Sequence, residues 1–454
     1  MPETSIEAEP FESADQFIDR VLSPEYVRNL MSEIGYDIRR GVFHPVMTIW
    51  LMMYQRISGK SSLAHALAAF QKGVGGVLME RGNRLRSEVS ISTGGLSQAR
   101  TRIPEEAVEA MVDTLNETII GSHLEHLWHG RNAYVLDGTD FRALAEGDIR
   151  KEYPPSRDDK RSSSWSTIRS VIATHVITGV AVRPESGAMY GPNAVGEVGL
   201  STEVIGRLPE RSVIVADRGL GTFFVAFNAI NKGHDVLVRL TDVRARQALG
   251  GKLPKSECDT RCVWRPAKKT QQSYSIDPNE ELHGRIIRHT YLKNGSRPVV
   301  LYLFTTLELP AEEILSLYAL RWNIELDLRT LKTAMKMETL DVKSASMARK
   351  EIAVGVCAYN MVRHLLAYSA HQANMSPRSI SFSRYAYLII HSGLAALYSP
   401  GDDTVGFFNS LPAKLHQIAH PKRKKPRTSR PRKVHRKPRP YPAWTTNSRK
   451  EKIS

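Results

Sequence analysis

The chain has 454 residues, of which 41% are hydrophobic, and its formal net charge is +16. That length predicts two or three globular units, and the three cysteines are too few for a disulfide-stapled extracellular fold. No secretory apolar segment opens the chain. The strongest apolar run, Val46–Tyr54, is too short to cross a bilayer and is followed at once by Gln55 and Arg56. These features predict a cytoplasmic protein without a membrane partner.

The positive charge is concentrated at the carboxyl end. Between residues 421 and 454, fourteen Lys and Arg stand against one acid, Glu451, so this segment supplies +13 of the net charge. It is rich in proline and too charged to bury an apolar face, which predicts a disordered basic tail. Nucleic acid is the favoured partner, because counterion release drives such binding with little sequence demand. A tail that only aids solubility is the alternative. A DNA partner would place the protein at the nucleoid.

The amino-terminal part of the chain is predicted to contain an arm and a helical domain. Residues 1–22 are acidic at their start and are predicted to form a flexible arm. From about residue 25 to 120, apolar residues recur at helical spacing and β-branched runs are few. Residues 23–128 are therefore predicted to be a helical domain. Basic residues at its edges, such as Arg100 and Arg102, indicate DNA binding, although no particular helix is marked as the one that enters a groove.

After residue 129 the pattern changes to alternating strands and helices. The predicted elements are strand 133–136, strands 170–175 and 180–183, helix 197–208, strand 212–216, helix 223–231 and strand 235–239. The first strand ends at Asp137 and the fourth ends at Asp217, so two carboxylates are expected at neighbouring strand exits. Residues 129–240 are the first part of a predicted α/β domain.

The rest of the folded chain is predicted to interrupt and then complete that domain. Residues 241–304 alternate apolar residues with Lys, Arg, Thr and Tyr, which predicts a β-rich insertion. Pro310 and the acids after it begin a helix in the last part of the α/β domain, 305–375. Residues 376–420 are predicted to form a C-terminal helical region. The predicted fold is therefore a mixed α/β sheet with helices, preceded by a helical domain and followed by the tail.

Four polar residues of the helix after Pro310 lie on one narrow stripe, within an arc of roughly 60° at about 100° per residue. They are Tyr318, Arg321, Glu325 and Lys332. The carboxylate can hold a metal ion, whereas Arg, Lys and a phenol suit a phosphate backbone. An apolar seam beside the stripe would anchor the helix to a core and leave the polar side facing a substrate.

The order of the acids predicts a metal site. Asp137 and Asp217 follow strands of one sheet, and Glu325 arrives on the helix packed beside them. Three carboxylates suit a hard cation, with Mg2+ expected, and paired ions about 4 Å apart can activate an attacking oxygen and stabilise a leaving one. Each acid alone is weak evidence, because Asp-Gly turns are common and Glu325 could pair with Arg321 or Arg329 on the helix surface.

These motifs resemble those of the DDE transposases of the insertion sequence four family. The resemblance is carried by Asp137-Gly-Thr139, by Ala216-Asp217-Arg-Gly219 and by the spacing Tyr-x2-Arg-x3-Glu-x6-Lys from Tyr318 to Lys332. Softer likenesses are Phe43-x-Pro45-Val, Ala99-Arg-x-Arg102 and Tyr359-Asn-Met-Val-Arg363. It covers most of residues 40–370 and implies an RNase H-like catalytic domain with a β-rich insertion before the last acid.

The resemblance also implies an activity, which is cut-and-paste DNA transposition by a homodimer bound to transposon ends and target DNA. Three acids would hold two Mg2+ ions, for which Mn2+ can substitute: Asp137, Asp217 and Glu325. Three residues would contact phosphates near the cleaved strand end: Tyr318, Arg321 and Lys332. In some relatives the excised end passes through a DNA hairpin, and an aromatic residue of the insertion helps to hold a flipped base. Trp264 is the only Trp of the predicted insertion.

Histidine and cysteine patterns offer rival metal sites. Three histidines stand three residues apart: His123, His126 and His129. On a helix their rings would spread over about 120°, and no fourth ligand accompanies them, so a helix surface or partly buried histidines are favoured. Cys258 and Cys262 lack the second pair that a zinc site needs, and two ordinary thiols are expected.

Four other carboxylates compete with the three acids of the motif: Asp140, Asp158, Asp159 and Asp327. Asp327 lies about 200° from Glu325 around a helix and is predicted to face elsewhere. Asp140 could replace Asp137 only if the first strand ran on for three more residues.

Two alternative functions remain open. The first is a non-catalytic DNA-binding relic of a transposase, against which the intact acids argue. The second is a free-standing RNase H-like nuclease, which would cleave without strand joining or end specificity.

Overall fold

The structure is a computed structural model that describes residues 14–38, 41–60, 62–75, 78, 92–122, 127–158, 161–291, 298–398 and 403–420. The basic tail from residue 421 onward lies outside the described residues. Within the described residues, six helices precede the sheet: α1 Ala14–Val21, α2 Pro24–Glu33, α3 Pro45–Ile57, α4 Leu63–Gln71, α5 Gly94–Arg102 and α6 Glu105–Gly121.

The first helix corrects the predicted flexible arm. Residues 1–13 lie outside the described residues, but α1 is helical and buries Phe17, Ile18 and Leu22 in the protein core. The acids of this segment leave an apolar helix face intact, and packing of that face orders residues that composition alone assigned to the arm.

The strands are β1 Ala133–Leu144, β2 Arg157–Asp158, β3 Arg161–Ser162, β4 Trp165–His175, β5 Glu185–Ala188, β6 Val213–Ala216, β7 Asp235–Arg239, β8 Cys258–Trp264, β9 Leu282–Tyr291, β10 Val299–Thr305 and β11 Thr339–Leu340. The helices between and after them are α7 Gly147–Glu152, α8 Glu197–Gly206, α9 Phe223–Asn231, α10 Asp242–Ala248, α11 Lys268–Tyr274, α12 Ala311–Ala319, α13 Trp322–Arg329, α14 Ala345–Gln372, α15 Phe382–Tyr398 and α16 Asp403–Ile418. A π-helical turn, Thr330–Ala334, follows α13, and a 3-10 turn, Pro377–Ser379, precedes α15.

In the described part of the chain, nine strands form one mixed sheet in the order β5-β4-β1-β6-β7-β10-β9-β8, with β11 beside β1. Strands β5, β4 and β1 are antiparallel, whereas β1, β6 and β7 are parallel. This arrangement confirms the predicted α/β class with a mixed sheet. Within the described ranges, each helix is too short or too polar to cross a bilayer.

The sheet separates two hydrophobic cores. The first core lies against the amino-terminal helices, α13 and α14, and takes Ala133 and Val135 from β1. The second core lies against α8, α9 and α10 and takes Tyr134 and Leu136 from the same strand. The alternation follows from the two-residue period of a strand, so it also fixes which face each neighbouring polar residue shares.

The first predicted strand was too short. β1 continues to Leu144, because residues 138–144 pair with the first half of β4, between Trp165 and Val171. The predicted partner strand began only at residue 170, whereas β4 begins at Trp165, since the Ser-rich composition before residue 170 hides the alternation. Conversely, the predicted strand 180–183 makes only one isolated bridge, between Thr174 and Ala181.

The predicted β-rich insertion is not a separate sheet. Strands β8, β9 and β10 continue the main sheet through the antiparallel pairing of β10 with β7, and the region also contains α10 and α11. Trp264, at the end of β8, is only 1% exposed and packs against Phe223 and Phe304. A role in holding a flipped base is therefore wrong for this residue, because its ring lies in the second core.

Candidate active site

Two parallel strands place the first two acids side by side. The last paired residues of β1 and β6 are Leu136 and Ala216, so Asp137 and Asp217 occupy the next position of the same register. Both follow a residue of the second core, and both therefore share the face of the first core. Asp137 lies inside β1 and not at its end, while β6 stops and leaves the edge of β1 open at this point.

Backbone amides orient both carboxylates. The Gly138 amide donates a hydrogen bond of 2.8 Å to Asp137 Oδ1. The amides of Gly219 and Leu220 donate to Asp217 Oδ1 at 2.7 and 3.2 Å, so the turn after β6 closes around this side chain. Each aspartate keeps its second oxygen outside these bonds, which suits a bridging donor.

Burial and like charge destabilise the ionised form of Asp137. Burial raises the pKa of its carboxyl group to about 6, the Gly138 amide and Arg321 lower it, and the negative charges of Asp217 and Glu197 raise it. The two aspartates therefore form a partly buried site with excess negative charge. A divalent cation would relieve that repulsion, and the oxygen donors present suit a hard ion.

Glu325 reaches the same face of the sheet on α13. Its neighbour Ile324 packs in the first core, whereas Glu325 itself is exposed, with 43% of its side chain accessible. Its Oε1 accepts a hydrogen bond of 3.3 Å from Arg321. Because Arg321 also lowers the pKa of Asp137, one guanidinium group acts on both the sheet acid and the helix acid.

The three acids are not placed together as the ligands of one metal ion in this structure. Among the residues that the structure describes, no group of three or more His, Cys, Asp or Glu side chains is placed to hold a metal ion. Asp137 and Asp217 meet as predicted, while Glu325 is engaged with Arg321. Release of this ion pair would free the third carboxylate.

The polar stripe predicted on one helix is divided among three elements. Tyr318 is near the end of α12, Arg321 lies in the break before α13, and Lys332 lies in the π-helical turn. The single continuous helix of the prediction is therefore wrong. Tyr318, Arg321 and Glu325 nonetheless lie near one another, because Leu320 and Arg321 keep right-handed helical backbone angles across the break.

Tyr318 is buried near Asp217. It is 8% exposed, and burial raises the pKa of its hydroxyl, while Arg321 and Arg239 lower it and Asp217 raises it. Its hydroxyl is among the buried polar atoms of the described residues that make no hydrogen bond of normal geometry. The sequence prediction missed Arg239, although its place at the end of β7, beside the strand that leads to Asp217, was a usable signal.

Lys332 is paired with a rival carboxylate. Its Nζ donates to Asp140 Oδ1 at 3.1 Å. The longer β1 meets the condition under which Asp140 could replace Asp137, but alternation places Asp140 on the opposite face of the sheet. Asp140 therefore neutralises Lys332 at the open edge of β1 and leaves Asp137 as the acid beside Asp217.

Two further residues shape the site and were not predicted. A Cβ atom at Gly138 would overlap the carboxyl group of Glu197, so a larger residue here would displace that side chain from its place beside β1. Arg244 donates from α10 to the carbonyl oxygens of Arg218 and Gly221, at 2.9 and 3.0 Å. It thereby holds the turn that orients Asp217.

The rival metal sites do not assemble in the described part of the chain. His129 lies 2.7 Å from Glu313, and His123 and His126 fall outside the described residues, as does Asp159. Cys258 and Cys262 are free thiols, and burial raises the pKa of Cys262 to about 11. Asp158 lies in the short strand β2, and Asp327 is completely buried on α13.

A family model and a curated protein relate this chain to transposases. A family model described as the transposase DDE domain matches residues 128–361, just over half of the chain. The curated protein "Transposase InsG for insertion sequence element IS4" of Escherichia coli (strain K12) is 20% identical over 384 residues, which cover 81% of this chain and 80% of that protein. A cryo-EM structure of a piggyBac transposase synaptic complex with hairpin DNA is 10% identical and aligns with a TM-score of 0.41, over 98% of this chain and 89% of that one.

Proposed function

This chain belongs to the transposase DDE domain family and is a DNA transposase of the insertion sequence four type, and from that premise we propose that it performs cut-and-paste transposition. It would cleave DNA strands at the transposon ends and join them to target DNA. The observation that carries the proposal is the placement of Asp137 and Asp217 side by side, on the sheet face that α13 and Glu325 approach.

Asp137, Asp217 and Glu325 are the proposed ligands of two Mg2+ ions, for which Mn2+ can substitute. When bound, such ions activate an attacking hydroxyl and stabilise the leaving oxygen of a phosphodiester. The chain's own contribution is to hold two carboxylates at adjacent positions of the sheet. It also keeps Glu325 hydrogen-bonded to Arg321 before DNA binds. A phosphate that attracts Arg321 would free Glu325 at the moment the DNA arrives.

Three residues are the proposed contacts of the DNA backbone near the cleaved end: Tyr318, Arg321 and Lys332. The buried Tyr318 hydroxyl has a proton to donate, and a phosphate oxygen would accept it. Lys332 is partly exposed and would exchange Asp140 for a phosphate. The hydrogen bond from Tyr318 and the ion pair from Lys332 to phosphate would form only in the DNA complex.

The wider assembly is also part of the proposal. A homodimer on DNA would hold both transposon ends, the helices before β1 would bind the ends, and the tail from residue 421 would add contacts that depend strongly on salt. A DNA-bound protein of this kind would work in the cytoplasm at the nucleoid.

The test is cleavage of a labelled transposon end by purified protein with Mg2+. Asp217→Ala should reduce the cleavage rate by at least about 100-fold, because a reacting group misplaced by 1 Å already costs that much. End binding should persist. The matched control is Asp341→Ala, which removes an exposed aspartate and should leave cleavage unchanged.

Two results would replace the proposal. Wild-type protein that folds and binds ends but never cleaves them would be a DNA-binding relic. Cleavage of any DNA, without end preference or strand joining, would identify a free-standing nuclease.

A further inference from the structure

A buried carboxylate lies on the reverse side of the helix that carries Glu325. Asp327 is 0% exposed, as the helical wheel predicted for a residue facing away from Glu325. Its Oδ1 accepts hydrogen bonds from Arg363 at 2.7 Å and from Arg378 at 2.6 Å. We call these three residues the Asp327 cluster.

The two arginines connect α13 to different parts of the fold. Arg363 lies on α14, donates from Nε to the Tyr359 hydroxyl at 2.8 Å, and stacks over the rings of Tyr359 and Phe382. Arg378 lies in the 3-10 turn and donates to the carbonyl oxygens of His175 and Val176, at 2.8 and 3.1 Å. The cluster therefore joins α13 both to the long core helix and to the end of β4.

The end of β4 leads back to the first catalytic strand. Val176 donates a backbone hydrogen bond to Ala133 at the start of β1, and Ile172 on β4 lies opposite Asp137. Asn323 on α13 also donates to the Val176 carbonyl, at 3.3 Å. The turn after β4 is therefore held by two residues of α13, directly by Asn323 and through Arg378 by Asp327. The same turn is hydrogen-bonded to β1, the strand that carries Asp137.

A glycine makes room for the two guanidinium groups. Gly179 has a φ of +81°, and a Cβ there would lie 2.9 Å from Arg363 Nε and 3.0 Å from an Arg378 terminal nitrogen. A larger residue would meet both arginines and would also be strained in this backbone conformation. The turn after β4 is therefore shaped to receive the cluster.

Helix α13 needs such an anchor. It has only eight residues, and it stands between the break at residues 320–321 and the π-helical turn 330–334. Hydrogen bonds of the 3-10 type cross the break before α13, and π-helical bonds follow it, so its regular hydrogen-bond ladder is interrupted at both ends and side-chain contacts help to set its rotation. An ion cluster with fixed hydrogen-bond directions sets that rotation more narrowly than apolar packing alone.

We propose that Asp327 is a positioning residue, which sets the rotation of α13 through Arg363 and Arg378 so that Glu325 can reach Asp137 and Asp217. This inference rests on the proposed function, because it assumes that Glu325 is the third metal ligand. Asp327 itself touches neither the metal nor DNA.

A second buried ion cluster provides the matched control. Glu351 is 1% exposed and pairs with Arg56, at 2.6 Å, and with Arg100. This Glu351 cluster has the same make-up of one carboxylate and two arginines. It joins α14 to α3 and α5 and has no residue on α13. Arg56 also donates to the Lys336 carbonyl after the π-helical turn, at 2.9 Å, and Glu351→Gln leaves that bond in place, so this variant should lose stability without moving Glu325.

The experiment compares Asp327→Asn with Glu351→Gln in the full-length protein bound to a transposon-end duplex. Mn2+ binding is followed through the EPR signal of the free ion, at a temperature where circular dichroism shows both variants folded. Asp327→Asn should weaken Mn2+ binding about tenfold, as expected for loss of a group that orients a metal ligand. Glu351→Gln should bind Mn2+ as the wild type does, although both variants unfold at lower denaturant concentration.

Arg378→Lys keeps the proposal testable if Asp327→Asn does not fold. Arg378 is partly exposed, and lysine keeps the charge but cannot reach Asp327 and both carbonyl groups together. This variant should weaken Mn2+ binding in the same direction by a smaller factor. Unchanged binding in the folded variants, or equal weakening in Glu351→Gln, would overturn the inference.

Glu325→Gln separates this inference from the function it rests on. If this variant binds Mn2+ and cleaves ends normally, the proposed ligand set fails. If it loses both properties while Asp327→Asn keeps them, only the positioning role fails.

Discussion

The carboxylates of the helical core and those at the edge of β1 differ in the charges that surround them. Glu351 and Asp327 are fully buried, and each accepts hydrogen bonds from two arginines. Asp137 has two acids, Asp217 and Glu197, among its strongest charged neighbours, against Arg321. Each core carboxylate is paired with two arginines in the absence of any ligand, whereas Asp137 lies among like charges that a bound cation would offset.

The largest expected effect comes from breaking a balanced cluster. Glu351→Ala leaves Arg56 and Arg100 buried without a counter-charge, so the free energy of unfolding should fall by about 3–5 kcal/mol. Chemical denaturation followed by circular dichroism measures it, with the exposed Glu338→Ala as a control that should stay within about 0.5 kcal/mol of the wild type. A loss below about 1 kcal/mol would show that the cluster contributes little to stability.

Removing a carboxylate charge from the sheet site should instead raise the free energy of unfolding. Asp137→Asn removes a charge that burial and Asp217 disfavour, so metal-free protein at pH 7 should become more stable by about 1–3 kcal/mol. The pKa of Asp137 is raised from an ordinary 3.8 to about 6 in the folded protein. The folded state therefore binds the proton more tightly than the unfolded state, and wild-type stability gains from this group as the pH falls from about 6 towards 4.

The Asn variant should lack this gain, so the stability difference between it and the wild type should narrow from pH 7 to pH 4. Thermal unfolding in EDTA at several pH values measures both effects. A variant that is less stable than the wild type at pH 7 would mean that Asp137 is already balanced without metal.

The smallest effect is expected at the edge of the site, where the pair is exposed. Asp140→Asn should change stability by less than about 1 kcal/mol, because both partners are partly solvated. It should nevertheless raise DNA affinity a few-fold at low salt, since Lys332 no longer has a competing carboxylate, and the gain should vanish at high salt. Fluorescence anisotropy over a salt series measures it. Lys332→Ala should lower the affinity. If Asp140→Asn and Lys332→Ala changed the affinity in the same direction, the proposal that Lys332 exchanges Asp140 for a phosphate would be contradicted.

Sequence patterns located the parts of the site whose signal is local. The strands β6 and β7 are short apolar runs buried on both sides, and their positions followed from composition alone. The second half of β1 was missed because its Gly-Thr-Asp segment has the composition of a turn. Pairing with β4, far along the chain, is what makes it a strand.

Long-range contacts were not visible in the same way. The helical wheel showed that Asp327 faces away from Glu325, but it could not show that Arg363 and Arg378 come to meet it. Likewise, the spacing of Tyr318, Arg321, Glu325 and Lys332 did not reveal the break before α13 or the π-helical turn.

The sequence by itself determined the family, the order of the three acids along the chain and the basic residues spaced around Glu325. These are properties of residue identity and spacing along one backbone. The tertiary structure alone decided that Asp137 and Asp217 share a register, that Glu325 is held by Arg321, and that a buried ion cluster anchors its helix. Those relations depend on how distant segments pack, and the free energy of burying charge in pairs is gained only when the segments meet.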